Sequence, residues 1–224
     1  MKNIAKDVYQ ISVLPRNSIN CYLIEDVLID AAIRSSASKI LNALKDKKVN
    51  THVLTHAHAD HQGSSKIICD TLKIPLWCSE PEKQAAESGN VTTEYPNPNN
   101  IISKFQAKIW AGKGCEVTKI IKEGDIVGGF TVIETPGHST GHLSFFREND
   151  RLLIVGDVMT NMNLLTTVPG LHEPPSLFTT NRQQNRESIK KLAGLKPKIL
   201  CFGHGPVLVN NSELDRFLDK ITAI

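Results

Sequence analysis

Residues 8–13, 21–24 and 27–29 are short apolar runs rich in β-branched side chains, and the polar turns between them predict an antiparallel meander. The period then changes. Over residues 38–45, Ile40, Leu41 and Leu44 fall on one face of a helix, and residues 49–54 read as a buried strand. After Gly63, Ile67, Ile68 and Leu72 predict a second helix and residues 74–77 a strand. Ser79-Glu80-Pro81-Glu82 reads as a capping box with proline near the start of the next helix. Residues 131–135 and 152–155 predict strands, 186–195 a helix and 199–202 a buried strand. Leu214, Phe217, Leu218 and Ile221 at i, i+3, i+4 and i+7 predict a last helix, with Ser212 and Asp215 as its cap. Residues 89–100, with the stretch TTEYPNPNN, read as a loop, either a mobile flap or a surface excursion.

Composition narrows the setting. A chain of 224 residues with 40% hydrophobic positions can bury a sizeable core, and residues 1–224 are read as one domain. The net charge is +3, with 26 Lys plus Arg against 23 Asp plus Glu, so neither a nucleic-acid partner nor a membrane surface is expected. No apolar run reaches the length of a membrane span, and MKNIAKDVYQ lacks the apolar stretch of a signal peptide. The five cysteines, Cys21, Cys69, Cys78, Cys115 and Cys201, form no C-x-x-C pair and read as reduced core residues of a cytoplasmic protein.

The chemistry collects at strand ends. Four apolar runs are each followed by a metal-ligand type: His56 in THAHADHQG, His138 in ETPGHSTGH, Asp157 in IVGDV and His204 in CFGHGP. Glycine or proline stands beside the last three, where a sharp turn needs it. Any one of them alone is an ordinary turn residue. Joined to His56-Ala-His58-Ala-Asp60-His61 they point to a metal site. His56 and His58, two apart, can face one point while Asp60 and His61 face an adjacent one. This assigns His56, His58 and His138 to a first ion, Asp60, His61 and His204 to a second, and Asp157 as a bridge, with two zinc ions expected and iron or manganese as substitutes.

This set, in its order and spacing, closely resembles the metallo-β-lactamase-fold hydrolase superfamily, and within it a single-domain, glyoxalase II-like member. The resemblance implies an α/β fold, a four-layer αββα sandwich with a dinuclear metal site at one edge. It also implies that Asp30, in LIDAA, braces the metal loop. The scaffold itself does not fix a substrate. Zinc β-lactamases with a second-site cysteine have Cys where this chain has Asp157, which disfavours a dedicated antibiotic-degrading enzyme. Larger glyoxalase II enzymes append a helical domain that helps hold glutathione, whereas residues 205–224 leave room for one helix. Acyl-homoserine lactonases often carry tyrosine at the position of Thr160, and nuclease members add a basic arm or domain that this chain does not display. Persulfide dioxygenases use a single iron.

The expected activity is hydrolysis of an ester or thioester by a hydroxide bound between the two ions, with Asp60 as the catalytic residue that orients the water or accepts its proton. Lactonase and phosphodiesterase or nuclease activity are the enzyme alternatives, and a metal-binding protein without turnover is the non-enzymatic one. The apolar segment after Asp157, with Met162, Leu164, Leu165, Leu171, Leu177 and Phe178, reads either as cover for the core or as the wall for an apolar acyl group of a small-molecule substrate. His172 is a candidate substrate contact. His142 and His52 are read as structural, Cys201 as buried, and Trp77 and Trp110 as core residues.

Overall fold

In the computed structural model, which describes residues 1–209 and 211–222, two sheets face one another and helices cover both outer faces. The first sheet holds β1 (Lys2–Ala5), β2 (Val8–Ser12), β3 (Asn20–Ile24), β4 (Val27–Ile29), β5 (Thr51–Val53), β6 (Leu76–Cys78) and β7 (Val117–Ile120), in that spatial order. β2 to β4 form the predicted antiparallel meander, to which β1, not foreseen in the sequence, adds a further antiparallel strand, and β4 to β7 run parallel through helical crossovers. The second sheet holds β8 (Ile126–Val127), β9 (Phe130–Glu134), β10 (Leu143–Arg147) and β11 (Leu152–Gly156). β12 (Thr160–Met162) pairs with β13 (Pro169–His172) as a separate hairpin, and β14 (Ile199–Phe202) joins the second sheet parallel to β11.

Strand alternation explains the layers. In β3, Cys21 and Leu23 turn toward the helices, whereas Tyr22 and Ile24 turn toward the second sheet. In β11, Leu152 and Ile154 fill the space between the sheets, and Leu153 and Val155 face the opposite helices. The first outer layer is α1 (Ala37–Leu44), α2 (Ala59–Gln62), α3 (Ser65–Leu72), α4 (Lys83–Ser88) and α5 (Ile101–Ile109). α6 (Arg182–Gly194) and α7 (Asn211–Thr222) cover the other side, through Ile189, Leu192, Phe217 and Ile221. The αββα order expected from the resemblance is therefore the order of three apolar clusters, one between the sheets and one under each helical layer. All five cysteines are buried and free, and none of the described helices is long and apolar enough to cross a membrane.

Two local readings change. Ser79 and Glu82 do not cap α4: Ser79 Oγ donates to the Gly141 carbonyl, and Glu82 takes its partners from distant loops. Ser212 lies inside the first turn of α7, which begins at Asn211, so it does not precede the helix as a cap would. α5 was not legible in the core pattern because its apolar residues Ile101, Ile102, Phe105 and Ile109 are exposed. Asn100 caps it, accepting from the Ile102 N–H at 2.8 Å.

Candidate metal centre

The loops that follow β5, β9, β11 and β14 open on one edge of the sandwich and bring His56, His58, Asp60, His61, His138, Asp157 and His204 together. The chain is extended at His58 and helical from Ala59, so His56 and His58 leave the loop in a different direction from Asp60 and His61. Ligand-type atoms of His56, His58 and His138 lie within 4.8 Å of one another, and so do those of Asp60, His61 and His204. Asp157 stands between the two groups, its Oδ2 2.9 Å from His204 Nε2, 3.3 Å from His61 Nε2 and 3.8 Å from His138 Nε2. His138 Nε2 is 3.1 Å from His58 Nδ1, and His204 Nε2 is 3.3 Å from Asp60 Oδ2.

The far side of each imidazole is tied down. His56 Nδ1 meets Thr55 Oγ1 at 3.0 Å, His61 Nδ1 meets Asp30 Oδ2 at 2.8 Å, and His204 Nδ1 meets the Ser18 carbonyl. Asp30 also accepts from the Thr55 backbone N–H at 2.8 Å and the Thr55 hydroxyl at 2.9 Å. Asp30 thus braces the loop, with its own backbone left-handed at φ 60°. His142, expected to be structural, accepts the Asp157 backbone N–H on Nε2 at 3.0 Å and meets Thr135 Oγ1 through Nδ1 at 2.8 Å. His52 is buried between the Leu28 carbonyl and Ser65 Oγ.

A cation fits what this cluster leaves unmet. His56 Nε2, His61 Nε2 and Asp157 Oδ1 are buried without a hydrogen-bond partner among the described residues, and buried polar atoms ordinarily have one. Burial holds His56 and His138 well below the ordinary histidine range, with neighbouring imidazoles adding to it, and burial pulls His58 down to about 4. Their surroundings thus favour the neutral imidazole, the form that ligates a metal. Burial also works against charge on His61 and His204, but carboxylates outweigh it. Asp157 and Asp30 raise His61 well above its usual value, and Asp157 and Asp60 push His204 up to about 10. Against burial, the His204 hydrogen bond and the His61 charge hold Asp60 down to about 2. The cluster therefore demands positive charge beside Asp60 and Asp157, from protons on two histidines or from ions.

Four residues contribute to the site in ways the sequence reading did not assign. Glu82 is fully buried and accepts from the Ala57 N–H at 2.8 Å, the Gly141 N–H at 2.9 Å and the Ser139 hydroxyl at 2.5 Å. It joins the loop of His56 and His58 to the loop of His138. Tyr95, from the stretch read as a loop, packs its ring edge-on to His58 at 4.6 Å, and the Glu94 carboxylate accepts from Thr140 Oγ1. Trp110, half-buried against the small cluster of Ala59, Val91, Tyr95 and Ala111 as a core residue would be, also lines a cavity of about 450 Å³ above the metal-ligand residues. Met162, Leu164, Leu165, Leu177 and Phe178 also line it, which makes the segment after Asp157 a wall; Leu171 packs under α7 instead. His172 does not line the cavity.

Residues 14–204 match the family model described as the metallo-beta-lactamase superfamily. The protein named Probable metallo-hydrolase YflN of Bacillus subtilis is 28% identical over 223 residues, covering 88% of this chain and 83% of that one. Hydroxyacylglutathione hydrolase GloC of Haemophilus influenzae is 29% identical over 147 residues, covering 62% of this chain and 66% of that one. The crystal structure of the B3 metallo-beta-lactamase BLEG-1 superposes with a TM-score of 0.73 at 25% identity, covering 94% of this chain and 99% of that one.

Proposed function

The chain belongs to the metallo-beta-lactamase superfamily of hydrolases, and from that premise we propose that it cleaves a carboxylic ester or thioester with two divalent ions, zinc in the first instance. His56 Nε2, His58 Nδ1 and His138 Nε2 would hold one ion, Asp60, His61 and His204 the other, and Asp157 would reach both. When bound, such ions polarise a carbonyl and lower the pKa of water. The observation that carries the proposal is that ligand atoms of His56, His58 and His138, and of Asp60, His61 and His204, each gather within 4.8 Å while His56 Nε2 and His61 Nε2 are buried without a hydrogen-bond partner.

The protein's own groups divide the remaining work. With its carboxyl held down to about 2, Asp60 is an acceptor at any ordinary pH and a weak base, so its part is to orient the attacking water. Asp30, Thr55 and Ser18 fix the imidazole rings, and Tyr95 shields the His58 side from solvent. Likeness to GloC supports the thioester form of the reading, and likeness to BLEG-1 places β-lactams in the same test.

Metal analysis of protein purified with metal present should give close to two ions per chain, assayed for zinc, iron and manganese. Fewer than half an equivalent would remove the dinuclear assignment. A panel of neutral esters, thioesters, lactones, β-lactams and phosphodiesters should show turnover on the first two, and Asp60→Asn should cut it by more than about tenfold. Turnover confined to phosphodiesters or β-lactams would overturn the proposal.

A further inference from the structure

Above the polar cluster at its floor, the wall of the cavity is mostly apolar. Tyr95, Trp110 and Phe178 stand around its lower part, and Ile102, Leu164 and Leu165 stand at its mouth. These mouth residues are exposed, Leu165 at 95% and Ile102 at 48%. Among the described residues that line the cavity there is no lysine and no arginine. Arg182 and Arg186, from the start of α6, are committed to Glu173. Besides the proposed ligands, the polar lining residues are Ser18, Tyr95 and Gln106, all neutral, so beyond the scissile bond the cavity offers no cation to a second charge on the substrate.

We infer that the substrate is a neutral ester or thioester of an apolar, medium- to long-chain acyl group. Its chain would run from the cluster past Trp110 and Phe178 to Ile102, Leu164 and Leu165. This rests on the hydrolase reading above and narrows it. A distal carboxylate, as in a glutathione conjugate or a β-lactam, would be buried among Leu, Ile and Trp side chains with no cation to pair with it. An alkyl chain would instead cover apolar surface that the free protein leaves in water. In the reaction, water adds to the carbonyl carbon, the bond from that carbon to oxygen or sulfur breaks, the leaving alcohol or thiol takes one proton, and the acid product releases the other.

The test separates binding from turnover. In metal-loaded Trp77→Phe protein, Trp110 is the one tryptophan left, and its emission can be titrated with butanamide, hexanamide and octanamide. Affinity should rise about two- to fourfold per added methylene, and the ω-carboxylate of the octyl compound should bind at least about tenfold more weakly. Calorimetric titration of the unaltered protein gives the same series if Trp77→Phe fails to fold. Affinity independent of chain length, or equal for the carboxylate, overturns the inference. Ile102→Lys should flatten the gain from hexanamide to octanamide, and an unchanged gain would remove the assigned path. Turnover of butyryl and octanoyl p-nitrophenyl esters is followed in parallel. A chain-length series in binding with no turnover of any ester would sink the hydrolase reading and leave the acyl site. Turnover with flat binding would sink the acyl site alone.

Discussion

A single methyl group decides whether Asp157 can stand where it does. A Cβ at Gly203 would lie 2.1 Å from Asp157 Oδ1 and 2.8 Å from His61 Cε1, and both side chains are buried with nowhere to retreat. Immediately before Asp157, Gly156 has φ +61°, and a Cβ there would lie 2.5 Å from His142 Nε2, the atom that receives the Asp157 N–H. Gly203→Ala should therefore displace Asp157, at a cost of about 1–3 kcal/mol in stability, and halve or abolish bound metal. Gly194→Ala, at the end of α6 with open space around its Cβ position, is the control and should leave metal content unchanged. Thermal unfolding and metal per chain of the two variants check this; full metal content in Gly203→Ala would remove the steric account. The sequence reading recognised the glycine in CFGHGP as a turn residue. It could not recognise that the neighbour excluding a side chain is a carboxylate from another strand, because that contact exists only after β11 and β14 pair.

At the scale of elements, what was legible followed the core and what was missed did not. Helices α1 and α6 show themselves because their apolar positions face one cluster with a regular period, and strands β2 to β4 because they are short apolar runs buried between two clusters. α5 shows no such registration, since its apolar residues face the cavity mouth and solvent. Ser79 and Glu82 have capping-box spacing, yet their partners lie in the loops of residues 57 and 139–141, so a local rule was overridden by tertiary contacts. Burial, and then Glu94, raise the Glu82 carboxyl to about 7, while its three donors pull the other way. Glu82→Ala would leave the Ala57 N–H, Gly141 N–H and Ser139 hydroxyl unsatisfied in the interior, and should cost about 2–5 kcal/mol. Because those donors flank His56, His58 and His138, the variant should also lose the ion proposed for these three before the other. Glu82→Gln keeps one acceptor oxygen and should lie between the two. Urea unfolding with parallel metal titration reads both effects, and a Glu82→Ala protein within about 0.5 kcal/mol of the parent would show that water replaces the carboxylate.

For the whole molecule, the opposed histidines set a stability profile with two limbs. His142 is pushed down to about 3 and His58 to about 4 by burial, whereas an unfolded histidine takes its proton near pH 6.5. Below that pH the unfolded chain binds more protons than the folded one, so stability falls as the solution is acidified. His204, pushed up to about 10 by Asp157 and Asp60 against burial, has the opposite sign: its contribution is full below pH 6.5 and is lost as pH rises toward 10. His61, raised well above its usual value by Asp157 and Asp30 against burial, acts in the same direction. The metal-free protein should therefore be most stable near pH 6.5, with its unfolding temperature declining on both sides. Ions at the proposed positions would replace the protons on His61 and His204 and so flatten the alkaline limb. They would steepen the acid limb, where protons compete for His56, His58 and His138. Unfolding temperatures with chelator and with zinc, from about pH 4.5 to 9.5, separate these outcomes. An alkaline limb that is flat without metal, or declines equally with it, would show that His61 and His204 do not hold protons in place of a cation.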